Sequence, residues 1–275
     1  MLDGLWQLAL PHWRAVVLGA VQGLTEFLPV SSSGHLVLTQ AVLRIPRPGL
    51  VLETGLHLGT LLAVVAAYPR DVAGLFRGVW DLVTRRGGSE AERLLLLLWA
   101  TLPAAIAGPV LEHWIERLFD TLPLVALGWV LTGVVLLGGA RARPGRRRLE
   151  DLGLARGWRV GLAQVLALAP GVSRSGMTLV AGLWQGLEPG EAARFAFLLS
   201  LPTVGGAVAL HLGALTHGVQ ARGIWVGSAV ACGTGLLAIR ALLARLKSGA
   251  LLWCGVYCLA LAALSFGRGL ALGPL

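Results

Sequence analysis

Long apolar stretches follow one another through this chain, and nothing else limits its fold as much. Most are near the roughly 20 residues that a helix needs to cross a bilayer. In lipid every backbone polar group must be paired within the protein, which leaves helices or closed barrels. The stretches are rich in Leu, Ala, Val and Gly and lack the two-residue alternation of barrel strands. Residues 52–68, 94–110, 123–139, 195–215, 222–243 and 250–266 read as spans. Only 13% of the 275 residues are charged, against about a quarter in a soluble domain. The expectation is an all-α polytopic integral membrane protein, a single membrane domain over residues 1–275. Residues 1–10 carry Asp3 and no basic residue, so they do not read as a cleavable signal peptide.

Charge sets the expected orientation. The formal net charge is +9, and the arginines gather in connections between spans. Residues 69–93 hold Arg70, Arg77, Arg85, Arg86 and Arg93, and residues 140–158 hold Arg141, Arg143, Arg146, Arg147, Arg148 and Arg156. The short 244–249 connection adds Arg245 and Lys247. By contrast 111–122 sets Arg117 against Glu112, Glu116 and Asp120, and 216–221 has no Lys or Arg. Basic connections stay cytoplasmic, where they also meet anionic lipid, so the charge implies membrane lipids and not nucleic acid as partner. Cys232, Cys254 and Cys258 lie in apolar surroundings without the further ligands of a metal site, and read as packing residues.

Two polar, helix-breaking islands interrupt otherwise apolar regions at about 13–45 and 159–187. The first, residues 22–35, reads QGLTEFLPVSSSGH, with Glu26 its only carboxylate and His35 its only imidazole. Pro29 and Gly34 bracket Ser31, Ser32 and Ser33, which argues against one continuous helix. The second, residues 169–178, reads APGVSRSGMT. At an offset of 142 residues Gly19 aligns with Gly161, Gln22 with Gln164, Val30-Ser31 with Val172-Ser173, and Ser33-Gly34 with Ser175-Gly176. Three spans separate the copies, an odd number. If each island is a re-entrant hairpin, the first opens outside and the second inside. This predicts an inverted-topology repeat, one copy over about 13–110 and the other over about 159–266. Its two broken-helix hairpins meet near the bilayer midplane.

A charge at membrane depth costs about 2.5–3.5 kcal/mol on insertion scales, so it needs a partner or a task. Glu26 and Arg174 are the pair to bring together. As a mere ion pair locking the hairpins, they would leave the serines, His35 and the breakers without a role. Phosphoryl transfer gives all of them one. It needs donors to phosphate oxygens, a nucleophile and a group that moves a proton. Arg174 offers a planar fork, and backbone N–H groups around 31–34 and 173–176 suit an anion. Ser31, Ser33, Ser173, Ser175, Thr178 and Gln22 are candidate phosphate-binding side chains. His35 suits proton transfer, Ser32 is the candidate nucleophile, and Glu26 could hold a divalent ion or orient His35.

With these motifs in view, the sequence resembles the bacterial undecaprenyl-diphosphate phosphatases of the BacA type, the bacitracin-resistance proteins. Gln22-x-x-x-Glu26 is similar to that family's (E/Q)xxxE signature, and residues 170–178 to its PGxSRSxxT signature. LETGLHLGT (52–60) and EAARFAFLLSLPT (191–203) extend the likeness along the chain. The resemblance implies a multi-pass enzyme of the bacterial plasma membrane, its site opening to the outer side. It would release the terminal phosphate of undecaprenyl diphosphate, with Mg²⁺ or Ca²⁺, and recycle the carrier for peptidoglycan synthesis. Carried over, Glu26 and Gln22 take the acidic or amide positions, His35 and Arg174 the catalytic ones, and Ser32 a hydroxyl position. Many relatives have glutamate where this chain has Gln22, and a neutral amide is a weaker metal ligand. Glu53 might be thought to compensate, but it reads equally as a helix-end residue. His57 reads as packing, and His12, His113, His211 and His217 as interfacial.

The rival class is a secondary transporter or flippase of an anionic prenyl-phosphate lipid, because inverted repeats with broken helices are a transporter architecture. A lipid-binding structural protein comes third, having little use for such a set of side chains. Prenyl length and oligomeric state, a homodimer included, stay open at this level.

Overall fold

A computed structural model describes residues 12–44, 49–118, 122–143, 145–210 and 221–272. The reading of residues 1–10, Asp120, His211, His217 and most of the 216–221 connection lie outside them. The described chain is helical, with no strand beyond an isolated bridge between Arg147 and Leu187. Its helices are α1 (His12–Phe27), α2 (Ser32–Leu43), α3 (Gly49–Ala67), α4 (Pro69–Val83), α5 (Ser89–Leu118) and α6 (Leu122–Ala140). After them come α7 (Leu154–Leu166), α8 (Arg174–Trp184), α9 (Pro189–Leu210), α10 (Ala221–Arg245) and α11 (Ala250–Leu272). Five of these contain segments long and apolar enough to cross a membrane: α5, α6, α9, α10 and α11. The pair α3 and α4 passes the same test together but is bent by 96°. Pro69 stands at the first turn of α4, where its missing N–H costs nothing, and it bars helical backbone for Tyr68 before it. The 69–93 connection, expected as a basic loop, therefore contains a helix.

Both polar islands are helix–turn–helix hairpins, α1–α2 and α7–α8. Adding the offset of 142 to Ser31 and Ser32 gives Ser173 and Arg174, the cap and first residue of α8. The neighbours also exchange: α1 packs on α10 and α7 on α5, while α3 meets α9 and α6 meets α11. Gly34 does not break the chain as its place beside the serines suggested. The break covers 28–31, and Ser32, Ser33 and Gly34 form the first turn of α2, where small residues are well tolerated.

Away from the islands, an ionic cluster ties the starts of several elements together. Arg93 of α5 reaches Asp71 of α4 at 3.1 Å and Glu150 at 3.0 Å. Arg194 of α9 pairs with Asp71, with Glu150 at 3.3 Å and with Glu191 at 3.1 Å. Glu191 also accepts the Leu149 N–H at 3.1 Å. The two long basic connections thus meet at one place, as two connections on the same face must. Burial opposes the charge of Glu150, but a hydrogen bond from its own backbone N–H, together with the charges of Arg194, Arg93 and Arg148, outweighs this and holds the carboxyl below its ordinary value.

Candidate active site

The same capping device opens α2 and α8. Ser31 Oγ accepts the Gly34 N–H at 3.4 Å and lies 3.2 Å from Ser33 Oγ. Ser173 Oγ accepts the Gly176 N–H at 3.1 Å and lies 3.2 Å from Ser175 Oγ. A serine at this position supplies an acceptor to one of the N–H groups that a helix start leaves unpaired. The remaining first-turn N–H groups, and the positive end of each helix dipole, favour an anion. Ser175 Oγ also donates to Leu28 O at 3.3 Å, so the two turns touch directly.

Helix α6 holds both turns in place. Trp129, fully buried, donates from Nε1 to Val30 O at 3.1 Å. Three residues on, Thr132 Oγ1 accepts the Ser173 N–H at 3.0 Å, and its one O–H proton is shared between Gly171 O at 3.0 Å and Gly128 O of its own helix at 2.9 Å. Close approach of the helices leaves room for little but glycine at several positions here, Gly128 among them, where a Cβ would lie 2.1 Å from Pro170 O. A Cβ on Gly34 would lie 2.8 Å from the Trp129 ring, and Gly171 has φ +81 with the Val125 carbonyl against it.

Glu26, on the last turn of α1, is where the two hairpins meet chemically. Its Oε2 accepts from Ser32 Oγ at 2.5 Å and from Gln22 Nε2 at 3.0 Å. Its Oε1 receives Arg174 Nη2 at 2.5 Å across the hairpin boundary. Arg174 Nη1 donates in addition to Ala196 O at 3.4 Å, which fixes the plane of the guanidinium. The carboxylate is 8% exposed, and burial at that level is tolerable only because opposite charge and hydroxyl donors surround it.

His35 stands apart from this cluster. Its Nδ1 lies 2.7 Å from Ser31 O and its Nε2 2.8 Å from the Tyr257 hydroxyl. His35 was expected as the proton-transfer group and Ser32 as the nucleophile, and the Ser32 hydroxyl goes to Glu26 rather than to His35. The cause is local: the imidazole turns back onto the carbonyl four residues earlier, while the end of α1 lies under Ser32. Thr178 likewise turns its hydroxyl onto its own helix, to Arg174 O at 2.8 Å. Glu53 offers its backbone carbonyl to His57 Nδ1 at 2.8 Å.

As a cation cradle the donor set is thin. Among the described residues, no three His, Cys, Asp or Glu side chains gather as metal ligands. Gln22 turns its N–H toward Glu26, leaving its buried Oε1 without a partner on the other side of the amide. Glu26 is already engaged on both oxygens. The side chains do not by themselves make a Mg²⁺ or Ca²⁺ site. In the second hairpin Gln164 has neither amide atom bonded, because Leu168 stands where Glu26 stands in the first.

Trp129, Thr132 and Tyr257 were missed by sequence reasoning. Their one signal is a polar atom within an apolar span, and the sequence does not say toward which turn each points. What the arrangement offers is a hydroxyl on a carboxylate, with a guanidinium beside it, between two helix N-termini. That suits an anionic substrate and a proton transfer from oxygen.

Comparison with known proteins points the same way. The family described as "Bacitracin resistance protein BacA" matches residues 15–264. An undecaprenyl-diphosphatase of Moorella thermoacetica is 43% identical over 252 residues, covering 91% of this chain and 95% of its own. One of Geobacter sulfurreducens is 44% identical, covering 85% and 88%. One of Rubrobacter xylanophilus is also 44% identical, covering 91% and 96%.

Proposed function

The chain belongs to the bacitracin resistance protein BacA family, and from that membership and the geometry above we propose how it works. It hydrolyses undecaprenyl diphosphate to undecaprenyl phosphate and inorganic phosphate. The flippase alternative is not favoured by the relatives' names. The observation that carries the mechanism is the Glu26 carboxylate, which takes the Ser32 hydroxyl from one hairpin's second helix and the Arg174 guanidinium from the other's.

A diphosphate entering between α2 and α8 meets first-turn N–H groups and the hydroxyls of Ser31, Ser33, Ser173 and Ser175. Arg174 then exchanges one oxyanion for another, moving from Glu26 to the terminal phosphate, where its charge steadies the transition state. Glu26, relieved of that partner, takes the Ser32 proton. Ser32 Oγ bonds to the terminal phosphorus as the bridging P–O bond breaks and undecaprenyl phosphate leaves. Water oxygen then bonds to phosphorus as the Ser32 Oγ–P bond breaks; Glu26 returns its proton to Ser32 Oγ, and inorganic phosphate departs with one water proton while the other passes to solvent. Water attacking directly, with Glu26 still the base, is the variant. A trapped phosphoserine in a single turnover separates the two.

A Mg²⁺ or Ca²⁺ ion enters this scheme as a companion of the diphosphate, whose oxygens would supply most of its ligands and Glu26 at most one. Such an ion would offset charge on the phosphates. The two repeats, about 13–110 and 159–266, are inverted copies, a reading supported by the matched starts of α2 and α8 and by the exchanged neighbours. The plasma membrane is the proposed site of action, with the active site opening outward and the basic connections in the cytoplasm.

The test is phosphate release by the purified protein in detergent, with and without chelator. Transport has no meaning without two compartments. Absence of phosphate from undecaprenyl diphosphate with Mg²⁺ and Ca²⁺ supplied would overturn the reading, and full activity in excess chelator would remove the cation.

A further inference from the structure

Tyr257, far along the chain on α11 and outside both signature motifs, makes one polar contact that nothing above explains. Its hydroxyl lies 2.8 Å from His35 Nε2, and its ring stacks on the imidazole with centroids 5.7 Å apart and planes 12° apart. On another side Trp129 meets the same imidazole edge-on, at 5.5 Å and 76°. The imidazole is therefore fixed by the two helices, α6 and α11, that pack against each other.

Elementary valence fixes its tautomer. Ser31 O is a carbonyl and only accepts, so the proton of that 2.7 Å contact belongs to Nδ1. In the neutral ring Nε2 then carries the lone pair, and the Tyr257 O–H donates to it. Nδ1 is committed to the backbone, so any proton that reaches or leaves His35 does so at Nε2, where Tyr257 stands. Phenylalanine would stack as well, so stacking alone does not account for the hydroxyl.

Resting on the hydrolase reading, we propose that Tyr257 is a positioning residue for the reaction. Its hydroxyl holds the His35 ring in the plane and tautomer in which Nδ1–H secures the Ser31 carbonyl, and with it the turn that carries the Ser32 hydroxyl. It acts through His35 and touches no reacting atom.

Tyr257→Phe removes the oxygen and keeps the ring. Two measurements on the purified full chain decide the matter. In protein labelled with ¹⁵N-histidine, the His35 signals are assigned by their absence in His35→Gln. The expected result in Tyr257→Phe is a downfield move of the Nε2 resonance, toward that of an unbonded ring nitrogen, with Nδ1–H retained. In phosphate release kcat should fall about tenfold, the kinetic equivalent of one hydrogen bond, with KM within about twofold. In a His35→Gln background the same substitution should cost nothing further. An unchanged Nε2 resonance would overturn the proposal. So would a shifted resonance with wild-type kcat, or an equal loss with and without His35. The spectrum needs no turnover, and the wild-type assay alone tests the hydrolase reading, so the two failures stay distinct.

Discussion

Replacing Thr132 by valine keeps the shape of the side chain and deletes the hydroxyl by which α6 binds the second turn. Thr132 and Ser173 are 1% and 2% exposed, so water does not take the hydroxyl's place. The Ser173 N–H loses its 3.0 Å acceptor, and Gly171 O loses its share of a proton that Gly128 O also accepts. A buried group left unpaired costs about 1–3 kcal/mol, the carbonyl less than the N–H because it has a second lone pair. The sum is about 2–4 kcal/mol. For a protein of this size each kcal/mol moves Tm by about 2–4 °C, so unfolding in detergent should begin on the order of 5–10 °C earlier. The functional cost is separate. Ser173 immediately precedes Arg174, and misplacing a charged donor by about 1 Å costs about 10²-fold in rate. Thr132→Ser is the control: it keeps the hydroxyl and gives up one methyl, worth about 0.8 kcal/mol. The assay is phosphate release beside a thermal melt on both variants. A valine variant with wild-type Tm and rate, or a serine variant as damaged as the valine one, would refute the role given to α6.

Gly34→Ala sets a methyl 2.8 Å from the Trp129 ring. The expected cost is about 1–3 kcal/mol of overpacking, seen as a lower Tm and a change in tryptophan emission. Arg174→Lys keeps the charge but loses the fork shared by Glu26 and Ala196. Phosphate release should fall about 10²–10³-fold, and a rate within twofold of wild type would exclude guanidinium geometry from the mechanism. Glu150 supplies a pH test. Its carboxyl is held below the ordinary 4.5, so its contribution to stability is present above that value and lost as pH falls through the folded-state value. The Tm difference between wild type and Glu150→Gln should be constant above about pH 6 and shrink in acid; a difference independent of pH down to 3 would count against the Arg93–Arg194 cluster.

The class of fold and the place of the site were written in local chemistry. Helix-length apolar runs with 13% charged residues leave little but a helical membrane bundle. Pro29, Gly171 and the serines mark where two of its helices stop and restart. The 142-residue offset reappears in the caps and first residues of α2 and α8, because caps and breakers act within a few residues of themselves. Partners are another matter, since they depend on which side chains face each other across distant helices. Nothing in the span that became α6 shows that Trp129 would reach Val30 and Thr132 would reach Ser173. Tyr257 lies 222 residues from the imidazole it holds. The Ser32 hydroxyl went to Glu26 rather than His35 because the end of α1 runs beneath the start of α2. Residue types and their spacing told which chemistry the chain carries. Only packing, through directions no periodicity encodes, decided which oxygen accepts which proton.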